Sequence, residues 1–138
     1  MDTKELFSRN EGVFTPAEQE RLRASRVLVV GCGGVGGTVT VILARSGVGR
    51  FVLVDPDVFE ASNMNRQIGC TVDTLGRNKA LVLAEMIGKI NPEAQVEAHP
   101  SLVSLERIDA VAGACDLVFP SADDYAFSLK VFRLARAR

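Results

Sequence analysis

The stretch RVLVVGCGGVGGTVTVILARSG, residues 26–47, decides the fold. It begins with a continuous apolar run, which is typical of a strand in a parallel sheet covered on both faces. Glycines follow at once, and then comes an apolar segment of helical type that Gly47 ends. Gly31, Gly33 and Gly36 have the GxGxxG spacing between this strand and this helix. In that context the spacing indicates a nucleotide-binding βαβ unit.

Each glycine of the loop has a physical reason in such a unit. Gly31 permits the tight turn, Gly33 lets the backbone approach a phosphate or ribose, and Gly36 lets the helix pack on the strand. The amide groups of the helix N-terminus then face the negative charge of the ligand. Asp55 ends the next apolar run, RFVLVD, and can accept hydrogen bonds from ribose hydroxyls. A glycine turn that binds nothing is the alternative.

Strands and helices alternate along the rest of the chain. We predict strands at 26–31, 50–55, 94–100 and 115–121, and helices at 34–47, 77–90, 104–113 and 123–138. This βαβαβαβα order predicts an α/β fold, a Rossmann-like doubly wound parallel sheet. A capping box at Thr15 predicts a short helix to about Ala24. We therefore expect an N-terminal helical arm, residues 1–25, and a Rossmann-like nucleotide-binding domain, residues 26–138.

The third and fourth predicted strands are expected at the edges of the sheet. The third strand alternates in character, which favours a position near an edge. The fourth is apolar and would leave an open edge unless a partner or further chain covers it.

Composition narrows the class of protein. The chain of 138 residues has the length of one domain, and its formal net charge of −1 indicates neither nucleic acid nor an anionic membrane as partner. No apolar run reaches the length of about 18 residues that a membrane span needs. The three cysteines form no CxxC or Cys/His pairing, which favours a reducing, cytoplasmic compartment over a disulfide framework or zinc site.

Polar residues cluster behind the second strand and carry the functional prediction. They are Asp57, Asn63, Arg66, Gln67 and Lys79. An enzyme that cleaves a nucleoside triphosphate needs cations at the phosphates and carboxylates at a divalent metal. Each residue alone could be an ordinary loop or surface residue, but the set follows a GxGxxG loop closely and lies where open α/β sheets bind ligands.

Three segments carry a resemblance to a known family: RVLVVGCGGVGG, GVGRFVLVDPDVFEASNMNRQ and GRNKALVLAEMIGKINP. They resemble the ThiF/MoeB/HesA adenylyltransferases, relatives of the ubiquitin-activating enzymes. The resemblance implies use of ATP and Mg²⁺ to adenylate a C-terminal carboxylate of a small ubiquitin-like or sulfur-carrier protein, with release of pyrophosphate. It also implies that the chain ends before the second half of the usual family domain.

The resemblance implies roles for individual residues. The residues expected to hold the nucleotide are Gly31, Gly33, Gly34, Gly36, Asp55, Asp57, Asn63 and Gln67. Those expected to act in catalysis are Arg9, Arg66, Lys79 and Asp123. Asp55 would bind the ribose and Gln67 would support the glycine loop. Asn63, Arg66 and Lys79 would bind the phosphates.

Two further expectations concern the metal and the assembly. Asp123 would bind Mg²⁺, although Asp124 stands where the family often has asparagine. Arg9 lies in an N-terminal segment that we expect to be flexible, and it matches an arginine that reaches the phosphates of the neighbouring subunit. The resemblance therefore implies a homodimer.

Two alternatives to the enzyme remain open. The chain could be a nucleotide-binding module without chemistry, such as an inactive partner subunit of the same family. A NAD-binding protein is a more distant alternative, because such a protein has no obvious use for the polar run behind Asp55.

Overall fold

The computed structural model of the chain describes residues 3–101 and 103–137. Its helices are α1 (Thr3–Leu6), α2 (Pro16–Ala24), α3 (Gly34–Ser46), α4 (Lys79–Ile90), α5 (Leu105–Ala112) and α6 (Tyr125–Arg136). Its strands are β1 (Arg26–Val30), β2 (Arg50–Val54), β3 (Gln95–His99) and β4 (Leu117–Pro120). Short 3-10 helices occupy Ser8–Asn10, Ala61–Asn63 and Val72–Thr74. The sequence did not predict α1 or these three turns.

The four strands form one parallel sheet in the order β3-β2-β1-β4. This confirms the predicted Rossmann-like fold. The edge positions predicted for β3 and β4 are also confirmed. On β4 the side chain of Leu117 remains exposed.

Alternate residues of the strands face two separate hydrophobic layers. On one face, Val29 and Leu53 pack with Leu83 of α4 and residues of α3. On the other, Leu28 and Val52 belong to a cluster that includes residues of α5 and α6. A sheet covered on both faces explains why the central strands read as unbroken apolar runs.

Local signals set the helix boundaries. The Thr15 hydroxyl accepts the Glu18 N–H, and the Glu18 carboxylate accepts the Thr15 N–H, which completes the predicted capping box. Gly47 ends α3 with a φ of 93°, a conformation that favours glycine. Helix α4 begins two residues later than predicted, because the Asn78 backbone is extended and its side-chain oxygen accepts the Leu81 N–H at 3.1 Å.

The N-terminal segment is tied to the far end of α3. The Asn10 amide donates to Gln19 Oε1 at 2.9 Å, and the Gln19 amide donates to the Ser46 carbonyl at 2.9 Å. These bonds, with the Phe7 ring near Gly47, connect the segment to α2 and α3, and its expected flexibility stays a prediction. In the described part of the chain, no helix is both long and apolar enough to cross a membrane.

Candidate functional site

A cleft of about 500 Å³ opens at the carboxyl ends of β1, β2 and β4. Six of the predicted site residues line it: Gly31, Gly33, Asp55, Asp57, Lys79 and Asp123. A hollow of about 490 Å³ lies beneath the N-terminal segment, but no predicted site residue lines it. We therefore assign the site to the cleft, which is also where open α/β sheets bind ligands.

The glycine loop is held by close backbone contacts. Gly31 has a φ of 98°, and a Cβ there would lie 2.5 Å from the Ala122 nitrogen. A Cβ on Gly36 would lie 1.8 Å from the Gly31 carbonyl oxygen, so the start of α3 touches the end of β1. The Ser121 hydroxyl donates to that same oxygen at 2.9 Å. Both glycines are required by the fold itself.

Close contacts do not require glycine at position 33 or 34. A Cβ on Gly33 would meet Gln67 Nε2 at 3.6 Å, and one on Gly34 would meet the Arg66 carbonyl at 3.7 Å. These are ordinary contacts, so protein atoms leave room above this part of the loop. A phosphate or ribose at the N-terminus of α3 would use that room.

The carboxylate of Asp55 is buried at the junction of two loops. Its Oδ2 accepts the Cys32 N–H at 2.6 Å and its Oδ1 accepts the Asp57 N–H at 2.8 Å. Each carboxylate oxygen has two acceptor positions. Asp55 can therefore accept ribose hydroxyls while the two backbone donors fix its orientation.

Cys32 follows the first glycine of the loop and is fully buried. Burial, together with the negative charge of Asp55, raises the pKa of its thiol far above the ordinary value. The thiol is protonated at neutral pH, and this argues against Cys32 as a nucleophile.

Lys79 and Asp57 form an ion pair of unequal exposure. Lys79 Nζ lies 3.2 Å from Asp57 Oδ2, with the lysine side chain 7% exposed and the aspartate side chain 65% exposed. Lys79 is the first residue of α4, and its backbone N–H donates to the Asp57 carbonyl at 2.9 Å. The ammonium group is thus fixed at the cleft, whereas its counter-ion faces solvent and can give way to a phosphate.

The residues Asn63, Arg66 and Gln67 do not line the cleft. Asn63 is buried, and its side-chain oxygen accepts the Glu60 N–H at 3.1 Å. The exposed Arg66 guanidinium donates to the Ser62 carbonyl at 2.8 Å. The polar run therefore turns back on itself beside the cleft, and the predicted phosphate contacts of Asn63 and Arg66 stay predictions.

Gln67 lies next to the glycine loop. Its side chain is the nearest neighbour of a Cβ placed on Gly33. Its Oε1 is buried and has no hydrogen-bond partner among the described residues. A buried acceptor without a partner costs free energy, so this oxygen is suited to a donor that arrives with the ligand. The predicted supporting role of Gln67 is compatible with this position.

Asp123 is exposed where the cleft meets α6, and Asp124 caps that helix by accepting the Phe127 N–H at 3.0 Å. No group of three or more metal-binding side chains occurs in the described ranges 3–101 and 103–137. Nucleotide-bound Mg²⁺ keeps several waters and needs one or two carboxylates beside the phosphates. The position of Asp123 fits such a metal.

Arg9 lies at the opposite end of α3 from the glycine loop. Its 3-10 turn is anchored through Asn10 to the Ser46 carbonyl, at the C-terminal end of this helix. Helix α3 has 13 residues, which corresponds to a length of about 20 Å. The guanidinium of Arg9 is therefore remote from the cleft of its own chain.

Two polar residues of the site were missed by the sequence reasoning. Ser121 donates to the glycine loop, and nothing in the sequence indicated this contact. Asn78 donates its side-chain N–H groups to the carbonyls of Asp55 and Asp57, at 2.8 and 3.0 Å. Its position just before an apolar helical run predicts a helix cap, but it does not predict the hydrogen bonds to these two carbonyls.

The fold and the cleft define a Rossmann-like nucleotide-binding domain. The sequence model of the ThiF family matches residues 7–138, and the chain belongs to this family. The predicted family resemblance is therefore confirmed.

Similar proteins include a dehydratase and an adenylyltransferase. The chain is 45% identical over 128 residues to the tRNA threonylcarbamoyladenosine dehydratase of Bacillus subtilis, covering 92% of the chain and 50% of that protein. It is 38% identical over 110 residues to the sulfur carrier protein adenylyltransferase of Thermus thermophilus, covering 80% and 41% respectively. The chain thus spans half or less of these relatives.

A solved structure is similar to this chain in fold. The Escherichia coli tRNA N6-threonylcarbamoyladenosine dehydratase in complex with ATP superposes with a TM-score of 0.91 at 28% identity. The match covers 97% of this chain and 56% of that one.

Substituting two glycines of the loop should separate folding from binding. Gly36→Ala places a Cβ against backbone, so we expect a large loss of stability. Gly33→Ala meets ordinary contacts, so we expect a folded protein whose affinity for ATP falls about tenfold or more, because the methyl occupies ligand space. Thermal unfolding and calorimetric ATP titration measure the two effects.

Gly88→Ala is the matched control, since a Cβ there, in the last turn of α4, meets nothing within 4 Å. It should retain ATP affinity and unfold at the wild-type temperature or above. Wild-type ATP affinity in Gly33→Ala would show that the nucleotide does not approach this part of the loop.

Proposed function

We propose that the chain is the ATP-binding part of an enzyme that transfers AMP from ATP to a carboxylate and releases pyrophosphate. One observation carries this proposal. A buried carboxylate suited to a ribose, Asp55, and a fixed ammonium suited to phosphates, Lys79, line the same cleft beside the N-terminus of α3. The chain spans half or less of its curated relatives, so the activity of the whole protein is part of the proposal.

The reaction needs binding groups more than reactive ones. A carboxylate oxygen of the acceptor attacks the α-phosphorus and forms a new O–P bond. The bond from the α-phosphorus to the bridging oxygen breaks, and pyrophosphate leaves with the electron pair. The protein lowers the barrier by aligning these groups and by placing positive charge where the phosphate oxygens become more negative.

Lys79 supplies such charge from a fixed position. As the phosphates bind, their oxygens replace the exposed Asp57 carboxylate as partners of the ammonium. We propose that Arg66 joins them, because its guanidinium is exposed and donates to the Ser62 carbonyl and Asn65 Oδ1. Five donors on one guanidinium leave some of them for phosphate.

We also propose that Asp123 holds Mg²⁺ together with the phosphates. When bound, this ion neutralises part of the polyphosphate charge. Asp124 is engaged as the cap of α6 and is not needed for this role.

Removing Lys79 provides the first test of this function. A charge-assisted hydrogen bond contributes about 1.5–3 kcal/mol, so Lys79→Ala should weaken ATP binding about tenfold to a hundredfold and abolish most exchange of labelled pyrophosphate into ATP. Lys89→Ala, in the exposed last turn of the same helix, is the control and should change neither.

Three other results would each contradict part of the proposal. Full exchange in Lys79→Ala would remove the assigned role of the lysine. Wild-type ATP binding without any exchange would favour a non-catalytic module or inactive partner subunit. Preference for NAD over ATP in the same titration would favour the dinucleotide alternative.

Two acceptors have support. The family resemblance, together with the similarity to the T. thermophilus adenylyltransferase, favours the C-terminal carboxylate of a small ubiquitin-like or sulfur-carrier protein. The higher identity to the B. subtilis dehydratase, 45% against 38%, favours a carboxylate carried by a modified tRNA nucleoside. Adenylation of that carboxylate followed by internal displacement of AMP would remove one water.

Each acceptor predicts a different product of the reaction with ATP. With a tRNA carrying threonylcarbamoyladenosine, the nucleoside should lose the mass of one water, whereas unmodified tRNA should have no effect. With a carrier protein, an adenylated C-terminus should form, and a carrier lacking its terminal residues should have no effect. Mass spectrometry of both reactions decides between the acceptors, and the absence of both products would contradict the two assignments.

We further propose a homodimer in which Arg9 of one subunit serves the cleft of the other. The remote position of Arg9 within its own chain supports this arrangement. Arg9→Ala and Lys79→Ala homomers should be nearly inactive, but mixing them should restore activity, because one cleft of the mixed dimer has both groups. Subunit exchange must be shown by mass spectrometry.

The control for this experiment mixes Lys79→Ala with Asp55→Ala. Both residues line the same cleft of one chain, so no mixed dimer contains an intact site and activity should not return. A fully active monomer, or exchange without recovery in the Arg9 mixture, would contradict the shared site.

A further inference from the structure

The side chain of Asn78 joins three parts of the chain beside the cleft. Its Nδ2 donates to the Asp55 carbonyl at 2.8 Å and to the Asp57 carbonyl at 3.0 Å, and it lies 3.5 Å from the Pro100 carbonyl. Its Oδ1 accepts the Leu81 N–H at 3.1 Å in the first turn of α4. A single planar amide thus connects the loop after β2 to the start of α4.

The loop and the helix start that Asn78 connects carry the two groups that recognise the nucleotide in our proposal. Asp55 is on the loop, and Lys79 is the next residue after Asn78. The same junction has a second bond, from the Lys79 backbone N–H to the Asp57 carbonyl. The position of the Asp55 carboxylate relative to the Lys79 ammonium therefore depends on this small network.

We propose that Asn78 is a positioning residue that sets the affinity for ATP without contacting it. It holds Asp55 and Lys79 at the separation that a ribose and its phosphates require. Asn78 is outside the set of residues that line the cleft, so its effect on ATP passes through those two residues. This inference rests on the proposed function, since it assigns the ribose to Asp55 and the phosphates to Lys79.

The donors of Asn78 distinguish this role from simple helix capping. Serine caps a helix about as well as asparagine, because capping needs one side-chain oxygen. Serine has no N–H₂ group, however, and it cannot hold two carbonyls while its oxygen accepts from the helix. A residue needed for capping alone could be serine, but a residue that also fixes the loop could not.

The substitution Asn78→Ser therefore tests the inference. We expect the thermal unfolding midpoint to fall less than in Asn78→Ala, since the cap remains while the bonds to the two carbonyls are lost. We expect the dissociation constant for ATP to rise about tenfold, comparable to the loss of one or two hydrogen bonds. In the pyrophosphate-exchange assay the KM for ATP should rise by the same factor, while kcat should change much less.

Two further variants control for stability. Asn78→Ala removes both the cap and the donors, so it should lower the unfolding midpoint and weaken ATP binding. Thr15→Ala removes the cap of α2, whose contacts lie away from the cleft, so it should lower the midpoint and leave ATP affinity unchanged. All measurements use the full chain.

The results that would overturn the positioning role of Asn78 differ from the result that would overturn the proposed function. Wild-type affinity and KM for ATP in Asn78→Ser would overturn the positioning role and leave the proposed function intact. A loss of affinity in Thr15→Ala as large as in Asn78→Ser would show that the effect follows general stability, and this too overturns the inference. A wild-type protein that binds no ATP would overturn the proposed function, and the positioning role with it.

Discussion

The buried carboxylate of Asp55 joins the two loops from which the cleft is built. One oxygen accepts the Cys32 N–H at 2.6 Å, and the other accepts the Asp57 N–H at 2.8 Å. A buried charge is costly unless it is hydrogen-bonded, and these backbone donors offset that cost. Because they belong to the loops after β1 and β2, the same bonds that stabilise the carboxylate also set the position of the glycine loop relative to Lys79.

Features that depend on local sequence could be predicted well. The apolar runs of β1 and β2, the glycine spacing after β1 and the αL residue Gly47 at the end of α3 each depend on neighbours within a few positions. Burial of both sheet faces gave these runs their unbroken apolar character, and this in turn indicated a parallel sheet. The order of elements then left few alternatives for the topology.

The features that the sequence did not predict depend on contacts between distant segments of the chain. Ser121 reaches the glycine loop across 90 positions of sequence, and Asn78 reaches the Asp55 carbonyl across 23. Asn63 and Arg66 follow Asp55 closely, yet the turn at Ala61–Asn63 and the bonds to Glu60 and Ser62 place them beside the cleft. Proximity in sequence indicated which residues belong together, but tertiary hydrogen bonds decide where their side chains lie.

The charges that line the cleft determine what a bound triphosphate needs beside it. Among the residues that the structure describes, four carboxylates line it, those of Asp55, Asp57, Asp123 and Asp124, against one ammonium, that of Lys79. A triphosphate in such surroundings meets strong repulsion unless further positive charge accompanies it. Arg66 at the side, a Mg²⁺ at Asp123 and the Arg9 of a second subunit are three sources of that charge in the proposed function. Because two of these lie outside the chain, the proposed function makes nucleotide binding depend on metal and assembly, whereas the chain itself contributes the hydrogen-bonded frame at Asp55.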